Sequence, residues 1–204
     1  MDERPGVQGL KSVFKISAYA LGTILSLWAL IVFYLSSAHP DITWDWDSIN
    51  TSDIHFPSSF AWGTATAAHQ VEGNNSNNNW YQWEKAVDKN GISRIHNNDS
   101  SAMAADHWNR YPEDILLMKD LGVSHYRFSI EWSRIEPQIG YYDLESLSHY
   151  RKMCLALINA GITPVVTLHH FTHPIWFEEL GAFEKETNTK HFTKFAKLVF
   201  QELM

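Results

Sequence analysis

The first long feature of the hydropathy pattern is ISAYALGTILSLWALIVFYL, residues 16–35, about twenty positions without a charge. At roughly 1.5 Å per residue, a helix of that length spans the roughly 30 Å hydrocarbon layer of a bilayer. Arg4, Lys11 and Lys15 precede it, and Asp41, Asp45 and Asp47 follow. This asymmetry predicts residues 1–15 as a cytoplasmic tail, with the remainder extracytoplasmic or lumenal. A cleaved secretory signal is the competing expectation: SSA before His39 suits a small-residue cleavage site, although the apolar run is longer than a usual signal core. Residues 36–55, containing HPDITWDWDS, show no period and are expected to be a polar connector.

From Phe56 onward the pattern changes. SFAWGTATA is a short aromatic and β-branched run that predicts a strand, and EGNNSNNNW after it is an Asn-rich loop. SAMAADHWNRYPEDILLMKDLG has helical spacing and stops at Gly122. SHYRFSIEW then predicts a strand, DLESLSHYRKMCLALINAG a helix ending at Gly161, ITPVVTLHH another strand, and TKHFTKFAKLVFQEL an amphipathic helix. Three alternations of strand and helix predict an α/β fold with parallel strands joined by right-handed crossovers. No GxGxxG or Walker loop follows any strand, which disfavours a nucleotide-binding open sheet. The expectation is therefore the (β/α)8 TIM barrel, of which three βα units are fewer than half.

Composition narrows the function. An apolar fraction of 45% with 19% charged residues can bury a core. Sixteen basic against twenty-three acidic residues give a net charge of -7, and no Lys/Arg-rich stretch is present to neutralise phosphates, so no nucleic-acid partner is expected. The single cysteine, Cys154, lies in the helical KMCLALINAG and is expected to be a buried structural thiol. Nothing in the pattern specifies an oligomeric state. In a eukaryotic host, Asn50, Asn74 and Asn98 would be glycan acceptors, each heading an N-x-S/T triplet.

In barrels and open sheets alike, ligands meet the carboxyl ends of the strands. Here those ends carry Gln70 and Glu72, then Glu131, Trp132 and Arg134, then His169 and His170. Hydrogen-bonding groups beside Trp and Phe suit a neutral polyhydroxylated ring, which needs donors and acceptors at its rim and flat apolar surfaces on its faces. A zinc pair at His169 and His173 is disfavoured, because PVVTL is strand-like and Pro174 opposes helical geometry at His173. On a strand His169 and His170 point to opposite faces, so one of them enters the barrel mouth. Arg127 sits among apolar strand residues, where a guanidinium requires an anion.

FPSSFAWGTATAAHQVEG, DHWNRYPEDILLMKDLGVSHYRFSIEWSRIEP and GITPVVTLHHFTHPIWF resemble, in order and spacing, the amino-terminal signatures of glycoside hydrolase family 1, the β-glucosidase family. The resemblance covers residues 56–204. It implies hydrolysis of β-linked glycosides with retention at the anomeric carbon, without metal or organic cofactor. It also implies that Gln70 and His170 bind hydroxyls of the sugar being cleaved, that Arg127 holds the nucleophilic carboxylate, and that Trp132 forms a nearby wall. Phe171 stands where Trp is common in the family, and THP replaces the frequent DLP.

Retaining hydrolysis needs two carboxyl groups roughly 5 to 5.5 Å apart. The resemblance assigns them to an NEP motif on the fourth strand and an ENG-type motif on the seventh, and neither motif occurs here. Glu72 and Glu131 are expected in salt bridges or supporting hydrogen bonds, not as substitutes. The 204 residues alone are thus expected to be inactive. The alternative expectation is a non-catalytic carbohydrate-binding or truncated pseudoenzyme module.

Overall fold

The computed structural model describes residues 5–40, 45–52 and 54–203. It divides into two units, Met1–Phe56 and Pro57–Met204.

In the first unit, helix α1 (Pro5–Ala38) contains the apolar run and begins well before residue 16, so most of the predicted tail is helical. Its stretch Val13–Ala38, with mean hydropathy 2.0, is long enough and apolar enough to cross a bilayer. Its Thr23 hydroxyl donates to the Tyr19 carbonyl (2.9 Å), so that polar group needs no water. Arg4 and Asp41, two of the flanking charges, lie outside the described residues. In the connector, Trp46–Ser48 forms one 3-10 turn, and the Asn50 carboxamide oxygen accepts from the Ser52 amide at 3.1 Å.

The second unit is a three-stranded parallel sheet in the order β1 (Gly63–Ala65), β2 (His125–Ser129), β3 (Thr163–Thr167). The register aligns Ala65, Arg127 and Val165 across the sheet. Two short helices, α2 (Ala68–Val71) and α3 (Asn79–Glu84), follow β1, and α4 (His107–Leu121) leads to β2. After β2 come α5 (Trp132–Ile135) and α6 (Leu144–Asn159), and after β3 come α7 (Ile175–Glu179) and α8 (Thr189–Leu203).

The long helices start and stop for local reasons. Asp143 caps α6 by accepting from the Glu145 and Ser146 amides, and Gly161 just beyond its end has φ +80°. Gly122 ends α4 at φ +76°. The start of α4 differs from the periodic stretch: Ala104 (φ +47°) and Asp106 (φ +53°) are left-handed, which breaks the helix until His107. Strand β1 is also shorter than SFAWGTATA suggested. At Gly63 the backbone passes so close to β2 that a Cβ would sit 2.8 Å from the His125 carbonyl oxygen.

Alternation along β2 sends Tyr126 and Phe128 to the helical side, where they join Ile115, Met153, Leu157, Ile162, Phe195 and Val199 in one core. Cys154 is buried within it, and burial pushes its thiol up to about 11, so it stays protonated and inert, as the sequence suggested. The opposite side of the sheet is open, with Val165 44% exposed.

Candidate functional site

The open side of the sheet and the loops at its carboxyl end carry the polar groups. Arg127, half-buried in β2, extends a guanidinium Nη2 to 3.5 Å from His170 Nδ1, just past the end of β3. Among the described residues, no carboxylate forms an ion pair with Arg127. Gln70 lies exposed in α2, at the end of β1. That short helix is fixed from β2: the Ser129 hydroxyl accepts from the Ala68 amide (2.8 Å), and the Thr66 amide continues the ladder to the Arg127 carbonyl (3.0 Å). The structure therefore joins Arg127 to His170 directly, and sets Gln70 on a neighbouring strand end with its carboxamide free of protein hydrogen bonds among the described residues.

His169 and His170 do point apart. His169 packs edge-on to Phe183 and Phe192 and lies parallel to His173 at 5.8 Å, away from Arg127. Burial, with His173 and His170 adding repulsion, lowers its pKa to about 4, so the ring is neutral at physiological pH. His173 gives its Nε2 to Glu178 (2.6 Å). Among the described residues, no cluster of three His, Cys, Asp or Glu side chains is arranged to hold a metal ion.

Trp132 corrects the sequence reading. It is 0% exposed: its indole packs on Phe177 (4.7 Å) and Phe195 (5.0 Å) and donates to Glu136 (2.8 Å). The chain turns into α5 at this residue instead of continuing as a strand, which rotates the side chain into the core.

Glu72 and Glu131 are equally buried. Glu72 accepts from Arg134 Nε (2.9 Å), Tyr150 Oη (2.6 Å) and Asn75 Nδ2 (3.2 Å). Arg134 also reaches the Gly73 carbonyl and lies over the Trp108 ring. Glu131 caps α5 through the Ser133 amide and hydroxyl and accepts from the Thr172 hydroxyl (2.9 Å). Loss of hydration, together with repulsion from Glu72, raises its pKa to about 7. Tyr150 joins the two networks, since its hydroxyl also accepts from the Glu131 amide (2.9 Å).

Sequence reasoning passed over what holds His170 in place. The next residue, Phe171, has φ +66° and is the middle of a three-residue turn closed by the Thr172 amide and the His170 carbonyl (2.8 Å). A bulky residue in this region carries strain of order 1–3 kcal/mol unless its surroundings enforce it. Here they do: the Phe171 ring stacks on Trp80 (5.7 Å, 13° between planes), and the Asn79 carboxamide oxygen accepts from the His173 amide (3.0 Å). The Asn-rich run thus acts as a set of sutures. Asn78 caps α3 through the Tyr81 amide and meets His69 Nδ1 (3.1 Å), while Asn77 donates to the Pro137 carbonyl (3.0 Å). His69 in turn contacts Glu84 (2.9 Å) and Ser101 (3.2 Å). The legible signal was Asn at 77, 78 and 79 immediately before a Trp, because Asn side chains satisfy loop backbone.

Together the fold and cluster define one sector of an α/β barrel with a polar, aromatic-rimmed site at its strand ends. Residues 52–204 match the family model Glycosyl hydrolase family 1, and the chain belongs to that family. It is 36% identical over 156 residues to Beta-glucosidase A of Acetivibrio thermocellus, covering 74% of this chain and 34% of that protein. It is 34% identical over 149 residues to human Cytosolic beta-glucosidase, covering 71% and 32%. Among solved structures, a beta-glucosidase from Exiguobacterium marinum matches with TM-score 0.68 and 36% identity over 74% of this chain and 34% of that one. The beta-glycosidase from Pyrococcus horikoshii matches with TM-score 0.64 and 42% identity, covering 72% and 33%. The chain spans about a third of the length of these relatives, and its three βα units are those of their TIM barrel.

Proposed function

We propose that these residues form the sugar-gripping wall of a retaining β-glycosidase, with His170 and Gln70 hydrogen-bonding hydroxyls of a β-linked hexose and Arg127 holding the carboxylate that attacks its anomeric carbon. The observation that carries this reading is Arg127. A half-buried guanidinium with no carboxylate partner among the described residues, aimed at His170, is costly unless a charge from elsewhere completes the site. The names of the relatives, beta-glucosidases and a beta-glycosidase, support the substrate class.

The same reading assigns recognition, not bond cleavage, to the 204 residues. Glu72 and Glu131 are occupied by structural hydrogen bonds and shut off from solvent, so neither meets a glycosidic oxygen. The hydrolysis proposed for the site needs no cofactor, only two carboxyl groups of another part of a barrel. The test is incubation of the purified chain with an aryl β-glucoside. Binding without release of the aryl alcohol is expected, and turnover by these residues would refute the division of labour.

We also propose that α1 anchors the protein in a membrane, with the sheet-bearing unit on the extracytoplasmic or lumenal side. The support is the charge-free apolar run, with basic residues before it and acidic residues after it. Protease protection in sealed vesicles tests this: digestion of residues 57–204 from the cytoplasmic side would reverse the orientation.

A further inference from the structure

A side-chain link runs between the ends of β2 and β3 and is used by none of the roles above. The Thr172 hydroxyl donates to Glu131 Oε2 at 2.9 Å, and the Thr172 amide donates to the His170 carbonyl at 2.8 Å. Glu131 follows β2 and Thr172 follows β3, so one residue ties a buried carboxyl group to the turn that carries His170. We infer that Glu131 is a positioning residue for sugar recognition: through Thr172 it sets His170 against Arg127, and it does so best in its protonated form. The inference rests on the sugar site proposed above and adds proton control to it.

Geometry is the first argument. The turn holds Phe171 at φ +66°, a conformation that a bulky residue keeps only when its surroundings enforce it. One end of the turn is His170, whose Nδ1 lies 3.5 Å from Arg127 Nη2. The other end is Thr172, 5% exposed, whose hydroxyl meets Glu131. Glu131 is itself fixed from two further directions, since its Oε1 accepts from the Ser133 hydroxyl at 2.8 Å and its amide donates to Tyr150 Oη at 2.9 Å. A change at Oε2 therefore falls on Thr172 and the turn.

Charge is the second. Glu72 faces Glu131 from the end of α2 and repels it. Tyr150 faces it from α6, and burial together with the Glu72 charge keeps that phenol protonated. Arg134 on α5 directs its guanidinium to Glu72 and the Gly73 carbonyl, and Glu136 at the end of α5 accepts from the Trp132 indole. On the loop after β3, His170 turns to Arg127 and His173 to Glu178. No cation pairs with Glu131 among the described residues, so its ionised form is a buried charge without compensation. The protonated acid keeps the link by reversing it, its O–H donating to Thr172 Oγ1. Burial, with repulsion from Glu72, sets the exchange between the two forms at about pH 7. Above that pH the loop relieves the charge by releasing Thr172 and admitting water, and His170 loses its setting.

The test uses the full chain in detergent and reads methyl β-glucoside affinity by calorimetry at pH 5 and pH 8, with Glu131→Gln as the form that cannot ionise. The parent is expected to match that variant at pH 5 and to bind about threefold more weakly at pH 8, as the fraction of molecules with the turn in place falls to about a third. Whatever charge His170 and Arg127 carry is common to both proteins and cancels in the ratio. Thr172→Val cuts the link, and in that background Glu131→Gln should change affinity at neither pH. A parent-to-variant ratio equal at both pH values, or a Glu131→Gln effect that persists with valine at 172, overturns the inference while leaving the sugar site standing. Magnetic resonance of the His170 ring without sugar judges the positioning separately: the parent should show a step near pH 7 that Glu131→Gln and Thr172→Val both lack. Identical pH curves in all three proteins sink the link through Thr172. That step in a parent that binds no glucoside at either pH refutes the sugar site and upholds the positioning of His170 by Glu131.

Discussion

At the end of β2 the chain turns Glu131 and Trp132 inward, where Ser133, Thr172, Glu136 and two phenylalanines absorb every polar and aromatic surface they offer. At the end of β3 it leaves His170 and Phe171 at the rim, the first facing a guanidinium that has no carboxylate partner among the described residues and the second held in a left-handed turn. Both ends hold a polar residue followed by an aromatic one, and both come from strands of the same sheet. What separates them is satisfaction. At one end hydrogen bonds and burial are complete within the protein, which is the signature of structure. At the other, Arg127 has no carboxylate partner among the described residues and Phe171 is 61% exposed, which is what the proposed sugar site would use.

That contrast breaks most visibly at Trp132. Trp132→Ala removes a fully buried indole from the centre of the aromatic core and is expected to cost about 4 kcal/mol of folding stability. Molecules that remain folded should bind a glucoside as the parent does. A denaturant midpoint that barely moves would return Trp132 to the pocket wall.

Why Trp132 was misread shows how far sequence patterns reach here. The helices α6 and α8 were legible because their periodicity is local, and so are the Asp143 cap and the glycines at 122 and 161. The parallel sheet was legible because strand and helix alternate. The opposed directions of His169 and His170 match what strand alternation suggested, although both residues lie beyond Thr167, the last residue of β3. The burial of Trp132 is different: it is set by Phe177 and Phe195, about forty-five and sixty-three residues later in the chain, which no short window contains. The same holds for Asn79, whose carboxamide closes on the His173 amide across the mouth. The left-handed Phe171 was hidden for a further reason, since nothing in HHFTHP marks a residue whose strain is enforced by a distant tryptophan.

The second prediction sharpens the structural side. Glu131 has its pKa raised from 4.5 to about 7, so the folded state binds a proton that the unfolded chain releases. Its contribution to stability is complete below about pH 4.5 and is lost as the pH rises through about 7, a change of about 3 kcal/mol. Glu131→Gln cannot ionise, and its amide can still accept from Ser133 and meet Thr172. The variant should therefore gain on the parent between pH 5 and pH 8, read as urea midpoints at both values. His169, lowered to about 4, acts in the opposite sense, because its stabilisation is lost as the pH falls below about 6.5. It is present in both proteins and cancels in the comparison. A difference between variant and parent that does not change with pH would mean that Glu131 is ionised in the fold at both values.

The smallest change in stability is expected where the change in binding is greatest. Gln70 is exposed and its carboxamide bonds to nothing in the protein among the described residues, while His170 offers Arg127 only a long contact of 3.5 Å. Replacing either by Ala removes no buried bond, so the folding midpoint should move by about 0.5 kcal/mol or less. Each side chain nonetheless supplies a hydrogen bond that a sugar hydroxyl would otherwise seek from water, and losing one is worth about 1 kcal/mol, or roughly a fivefold weaker Kd for methyl β-glucoside. The double variant tests whether the two residues grip one ligand: losses that multiply to about twenty-fivefold fit two hands on one hexose. If His170→Ala weakens binding and Gln70→Ala does not, β1 contributes no contact, and the proposed wall contracts to Arg127 and the turn that carries His170 and Phe171.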